Sequence, residues 1–258
     1  MASCETKKMT QLQKWHGAGN DFLVSVAPDF VWTPELARLV CDRHLGLGAD
    51  GLLVATAQGD DVAMTLFNAD GSVAEMSGNG VRVVVAAWKR ATKDDRSMIS
   101  VHTGAGIRQV SLALDGVVGE GSVLMGPVTL RTTLEGTLGV ASVGNPHVVV
   151  LDQPEWDDAL RERLAADWAE QLGGANVEFV TVRTVEEVAI RVIERGVGWT
   201  LACGTGSCAT AAVCHAAGLT NRDVTVVNPG GALRVTFEGE EATLRGPVAF
   251  VADVSWSR

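Results

Sequence analysis

Cys203 stands at the head of the stretch Thr200-Leu-Ala-Cys-Gly-Thr-Gly-Ser-Cys-Ala-Thr-Ala-Ala-Val-Cys-His215, where a Gly-Thr-Gly turn leads into an Ala-rich run. Such a run has strong helix propensity. Gly204 and Gly206 permit a close approach, since neither carries a side chain. The first turn of the helix leaves backbone N–H groups unpaired and carries the positive end of the helix dipole. A thiol placed there is expected to ionise below its ordinary pKa of about 8.5. The same N–H groups can hold a carboxylate or a phosphate. Cys208 and Cys214, inside the run, read as small buried hydrophobes. Gly204-x-Gly206-x-x-Ala209 also fits a dinucleotide fingerprint, with Asp223 19 positions beyond Gly204. Asp223 precedes the apolar run Val224–Val227 instead of ending it, so it would miss a ribose, and that reading is set aside.

The chain of 258 residues is long enough for one large core or two ordinary domains. Its 47% hydrophobic and 20% charged residues are those of a soluble globular protein. A formal net charge of −10 argues against a nucleic-acid groove or an anionic membrane surface as partner. Five irregularly spaced cysteines suit reduced thiols, not a disulfide framework. No C-x-x-C or H-E-x-x-H pattern suggests a metal site. The first 14 residues lack the apolar segment of a signal peptide, and no apolar run approaches the roughly 18 residues of a membrane span. The expected address is the cytoplasm.

The elements that must carry Cys203 follow in chain order. Residues 1–10 read as a ragged terminus. Residues 14–25 read as a glycine-bearing turn running into a strand. Thr33-Pro34 opens a helix through about Arg43, with Pro at a permitted early position. Strands are expected at 52–56 and 62–67, and a helix at 81–89 after Glu75-Met-Ser-Gly-Asn-Gly80. The second half repeats this order, with a strand entered at Gly144-Asn145-Pro-His147, a helix at 156–171, and strands at 175–180 and 188–193. A shift of 126 positions lays Val62–Phe67 on Val188–Ile193, Asn68 on Glu194, Ser77 on Cys203, Gly78 on Gly204 and Gly80 on Gly206. Gly19-Asn20 matches Gly144-Asn145 at 125, and Leu124–Val128 matches Leu244–Val248 at 120. The expectation is two pseudo-symmetric domains, 11–127 and 128–250, with the final residues packing back on the first. Each would offer a Gly-x-Gly helix start to the cleft between them, with Ser77 on one wall and Cys203 on the other.

Two acid/base groups on opposite faces of one carbon suit stereoinversion. One takes a proton and the other returns one from the far side. The α-proton of an amino acid is so weakly acidic that the developing carbanion needs preorganised donors, and two helix ends aimed at the α-carboxylate would supply them. Glu194-Arg195, where a strand meets its loop, could bind the substrate's ammonium and carboxylate.

From about residue 11 to 252 the chain resembles the diaminopimelate epimerases. The matching motifs are Gly17-Ala-Gly-Asn-Asp-Phe22, Asn68-Ala-Asp-Gly71, Gly78-Asn-Gly80, Gly144-Asn-Pro-His147, Asn176-Val, Glu194-Arg-Gly196 and Ala202-Cys-Gly-Thr-Gly206. The resemblance implies an α/β (α+β) fold of two similar domains, each a β-barrel-like sheet around a central helix, usually paired in a homodimer. It implies cofactor-independent interconversion of LL- and meso-diaminopimelate, with no metal. It makes Cys203 one of two opposed cysteine bases. It makes Asn20, Asn68, Asn145, Asn176, Glu194 and Arg195 substrate-binding, and Gly78, Asn79, Gly204 and Thr205 the carboxylate-holding helix ends. His147 and Glu194 match the groups beside the bases. The departure is Ser77, where the family has its other catalytic cysteine, and a hydroxyl is a poor resting base at pH 7. Trp199, where many relatives have glutamate, is a lesser departure. Two further readings stay open: a one-base enzyme of the same superfamily acting on another amino acid such as hydroxyproline, or a non-catalytic amino-acid-binding relative. His147 is the candidate for assisting Ser77, although the favoured expectation is that it only shapes the pocket.

Overall fold

Alternation of buried and exposed residues dominates the chain, as in Glu187–Glu194 and along the whole of Glu241–Ser257, and such a pattern makes half-buried strands. The computed structural model describes residues 9–257. In chain order its first half holds β1 (Met9–Gly17), β2 (Asn20–Val26), α1 (Pro34–Cys41), β3 (Gly51–Gln58), β4 (Asp61–Asn68), β5 (Val73–Ala74), α2 (Gly78–Thr92), β6 (Met98–Thr103), β7 (Gly106–Asp115) and β8 (Val118–Pro127). The second half holds β9 (Thr129–Arg131), β10 (Gly139–Ser142), β11 (Pro146–Leu151), α3 (Asp158–Gln171), β12 (Asn176–Thr184), β13 (Glu187–Glu194), β14 (Gly198–Thr200), α4 (Gly204–Ala216), β15 (Val224–Asn228), β16 (Gly231–Glu238) and β17 (Glu241–Ser257).

Following the ladders from β1 leads through β2, β3, β4, β6, β7, β8 and β17 and back to β1, a closed eight-stranded barrel. α2 runs through it. Every residue from Gly78 to Trp88 is buried, as expected of a helix apolar on all sides and surrounded by sheet. Each of Val83, Val84 and Val85 gains roughly 1.5–3 kcal/mol by leaving water. The second half repeats the ladder order as β10, β11, β12, β13, β15, β16 and β17 around α4. α1 and α3 cover the outsides of the two barrels with their own smaller apolar clusters.

The halves also exchange strands. β8 pairs with β17, and the chain then passes into β9, which pairs with β10. β17 itself pairs with β16 as far as Arg245 and with β8 as far as Ala249, and its remainder runs along β1 from Ala249↔His16 to Ser257↔Met9.

Several boundaries differ from the sequence reading. Met9 and Thr10 belong to β1, held by β17, while residues 1–8 lie outside the described residues. Lys14–Gly17 is the end of β1, and the turn is only Ala18-Gly19. α1 stops at Cys41 because Asp42 Oδ1 turns the chain, accepting from the His44 and Leu45 N–H groups. α2 begins at Gly78 and not Val81, and α4 at Gly204, so each Gly-x-Gly is the first helical turn. Glycine's low helix propensity hides this in the sequence, and packing inside the barrel overrides it.

Candidate active site

Ser77 and Cys203 do the same job on two helices. Ser77 is the N-cap of α2, its Oγ accepting from the Gly80 N–H at 3.0 Å. Cys203 is the N-cap of α4, its Sγ accepting from the Gly206 N–H at 3.3 Å. The two helix starts abut. A Cβ added at Gly204 would lie 3.3 Å from the Gly78 Cα, and one added at either glycine would lie 2.9 Å from Leu244 Cδ2. Only glycine allows that approach. Gly78, Asn79, Gly204 and Thr205 occupy the first two positions of their helices, whose N–H groups no intrahelical carbonyl can reach. Two positive helix ends therefore converge beside one hydroxyl and one thiol.

Cys203 is 5% exposed. Burial pushes its thiol well above the ordinary range, and the Glu194 and Glu178 carboxylates push it further. Thr205 and the Gly206 N–H oppose this without reversing it. The depressed pKa expected from the helix start is thus overturned. A helix end contributes at most about 2 kcal/mol, and desolvation of a fully enclosed sulfur exceeds it. Glu194 is raised as well, first by burial, and its carboxyl lies within hydrogen-bonding reach of the Cys203 thiol. Thr200 Oγ1 donates to Glu194 Oε1 at 2.6 Å and holds it in place.

His147 is fully buried, with Nδ1 2.7 Å from Glu178 Oε1 and Nε2 3.1 Å from Asn145 Oδ1. Both ring nitrogens are engaged on the Cys203 side of the site, and none of its hydrogen bonds reaches Ser77. Glu178 lies against the first turn of α4, since a Cβ at Gly206 would come within 2.4 Å of its Oε1. Asn176 starts β12, where its Oδ1 accepts from the Arg195 N–H at 2.9 Å. Asn145, Asn176 and Glu194 share one end of the second barrel, because His147 pairs with Asn176 and Val177 with Ile193. Asn20 and Asn68 share the corresponding end of the first, across Gly51. Asn20 donates to Asp50 Oδ2 at 2.8 Å and Asn68 to Ser72 Oγ at 2.9 Å. The Ala18-Gly19 turn before Asn20 abuts Leu201 and Gly230 of the other half. Arg195 departs from its neighbour. It is exposed and runs beside Gly174, whereas Glu194 faces the thiol.

Three residues join the site that the sequence did not single out. Glu178 looked like one polar residue in an apolar strand, although a lone carboxylate there was the available signal. Asn228 accepts from the Cys203 N–H at 3.3 Å and donates to Ser207 Oγ at 3.2 Å, yet Asn-Pro-Gly reads locally as a plain turn. Arg82, within α2, is fully buried. Trp199 packs 6.0 Å from the Phe179 ring and donates to Glu162 Oε1 at 2.8 Å, away from the thiol. Cys208 and Cys214 are fully buried and uncharged in role, as the sequence implied. Among the described residues no group of three His, Cys, Asp or Glu has the placement of a metal site. Nor, among the described residues, is any helix long and apolar enough to cross a membrane.

The family profile described as diaminopimelate epimerase matches residues 12–131 and 139–251. The chain is 35% identical to a diaminopimelate epimerase of Synechococcus elongatus, over 93% of this chain and 96% of that one. It is 37% identical to a diaminopimelate epimerase of Xanthomonas euvesicatoria pv. vesicatoria, over 95% of each. Its fold is also similar to the crystal structure of a Bacillus anthracis phenazine biosynthesis protein of the PhzF family. There the TM-score is 0.75 at 13% identity, covering 97% of this chain and all of that one. With two barrels, two facing helix ends and this degree of identity along nearly its full length, the chain belongs to the diaminopimelate epimerase family.

Proposed function

We propose that the protein moves the α-proton of 2,6-diaminopimelate, interconverting the LL and meso forms without a cofactor, in the route to lysine. The observation that carries this reading is the meeting of two capped helix starts, with Ser77 and Cys203 flanking the place where an α-carboxylate would sit. Gly78, Asn79, Gly204 and Thr205 receive that carboxylate through their N–H groups. Asn20, Asn68, Asn145, Asn176 and Glu194 hold the remainder of the substrate, and the exposed Arg195 meets it from the rim beside Gly174. The working unit is a homodimer in the cytoplasm, each protomer divided near residue 128.

In the chemical step the Cys203 thiol passes its proton to Glu194, whose raised affinity for a proton suits it as acceptor. The thiolate then removes the substrate α-proton, leaving the electron pair on the α-carbon and its carboxylate, where the helix ends stabilise it. Inversion requires Ser77 to give its hydroxyl proton to the opposite face, leaving an alkoxide. That is far more costly than leaving a thiolate, so proton exchange outruns inversion.

The hydroxyl at Ser77 favours a second reading, a one-base site that exchanges without inverting. Incubation with LL-diaminopimelate in heavy water separates the outcomes. Deuterium at the α-carbon with formation of the meso isomer supports epimerisation, and deuterium with retention supports the one-base reading. No exchange at all would overturn both.

A further inference from the structure

Arg82 is fully buried in α2, a helix whose other buried side chains are mostly valine and alanine. Its Nη1 donates to Gly78 O at 2.9 Å and its Nη2 to Asn79 Oδ1 at 2.6 Å. Its Nε has no partner, and among the described residues no carboxylate forms an ion pair with it. Burial brings the guanidinium down to about 10, so it still carries its charge at pH 7. An unpaired buried charge costs several kcal/mol, and apolar replacements of such groups often stabilise a fold. The fold nevertheless makes room for it. Gly121 of β8 and Gly246 of β17 are register partners, and both border this side chain. A Cβ at Gly246 would lie 2.9 Å from Nη2, and one at Gly121 3.3 Å from Cδ. A paired glycine gap is thus cut into the ladder that joins the two halves.

The guanidinium has donors only, so Asn79 must turn its Oδ1 toward it. That leaves Nδ2 facing across the cleft, where it donates to Ala202 O at 3.4 Å, next to Cys203. The charge itself lies directly behind the Gly78-Asn79 helix start, where it adds to the roughly half charge of the dipole. We propose that Arg82 is a positioning residue that charges the anion-holding helix ends from behind and, through Asn79, ties the Cys203 loop to α2. This rests on the reading that an anionic substrate group sits at those ends.

The test uses Arg82→Met, Arg82→Gln and Arg82→Lys in the full chain, with two readouts. The first is the rate of Cys203 alkylation by iodoacetate relative to iodoacetamide, measured by peptide mass spectrometry. The reagents are similar in size and differ in charge, so a purely structural role leaves their ratio unchanged. The second is KM for LL-diaminopimelate in the exchange assay. The expected result is a ratio lowered about tenfold in the neutral variants, the loss of about 1.4 kcal/mol of attraction for an anion. KM should rise in parallel, and Arg82→Lys should restore both to within threefold. A ratio unchanged within twofold in a folded neutral variant overturns the proposal. Failure of both neutral variants to fold overturns it too, because the charge then serves folding. Should the parent exchange no diaminopimelate while the ratio still falls, the functional reading fails and the role of Arg82 stands.

Discussion

A hydroxyl at Ser77 and a thiol at Cys203 occupy equivalent caps and differ in what they can do near neutral pH. Cys203→Ala is expected to abolish α-deuterium exchange, whereas Cys208→Ala and Cys214→Ala keep it and lose only packing. Comparable loss at all three positions would sink the assignment. Ser77→Ala removes the acceptor for the Gly80 N–H and should cost about 1 kcal/mol in thermal unfolding; it should leave exchange in place and remove the slow inversion that the hydroxyl proton supports. Ser77→Cys should raise inversion by several orders of magnitude. The pH profile of exchange is tied to the groups facing the sulfur: Glu194 on β13, Glu178 on β12 with His147 behind it, and Thr205 and the Gly206 N–H on α4. Because Glu194 must be ionised to accept the thiol proton, kcat/KM should rise as pH passes the Glu194 carboxyl range, which burial and the Glu178 charge move up. Glu178→Gln removes that charge, so the rising limb should move to lower pH. A limb that moved upward would show that Glu178 acts on Glu194 with the opposite sign.

At the scale of elements, the site depends on two helices that start against each other with no side chain between them. Gly204→Ala places a methyl 2.9 Å from Leu244 Cδ2 and 3.3 Å from the Gly78 Cα. Overpacking of this kind costs about 1–3 kcal/mol and here also separates the two caps. Exchange should therefore fall more than stability does. Leu244→Ala in the same chain vacates the space beneath both helix starts and should recover part of the unfolding temperature. Because it leaves the Gly78 contact in place, it should recover less of the activity. Full recovery of activity would show that Leu244, and not the helix-to-helix contact, limits the site.

For the whole molecule, closure of the first barrel relies on the last residues of the chain. Removing residues 250–258 strips the partner of β1 from Trp15 outward and leaves β1 as an open edge. A lower unfolding temperature and self-association are expected by calorimetry and light scattering. Buried thiols give the fold a second global signature. Burial raises Cys41, Cys208 and Cys214 to about 12, so the folded chain keeps protons that the unfolded chain releases near its ordinary thiol pKa. Fewer protons bound when unfolded means that stability falls as pH rises. The contribution of these thiols is intact below about 8.5 and drains away toward 12, by up to about 1.4 kcal/mol per pH unit for each. Denaturant melts between pH 8 and 11 should show that slope, and Cys208→Ala should make it shallower.

The sequence alone determined everything that local pattern can carry. Val62–Phe67 and Val188–Ile193 were legible as strands from their short, mostly apolar runs, and Thr33-Pro34 marked a helix start. A near-constant offset paired Ser77 with Cys203 and revealed the duplication. These signals survive because a short apolar run and a helix cap are properties of neighbouring residues. The tertiary structure decided what depends on residues far apart in the chain. Asn79 reaches Ala202 across 123 positions, and β17 closes a barrel whose first strand begins at Met9. The same closure set the direction of the Cys203 shift. The helix start that should favour a thiolate is readable in Cys-Gly-Thr-Gly, but the burial and the two carboxylates that outweigh it exist only once β12 packs against α4 with β13 paired beside it. Electrostatics follows distance in space, and the chain does not spell that distance out.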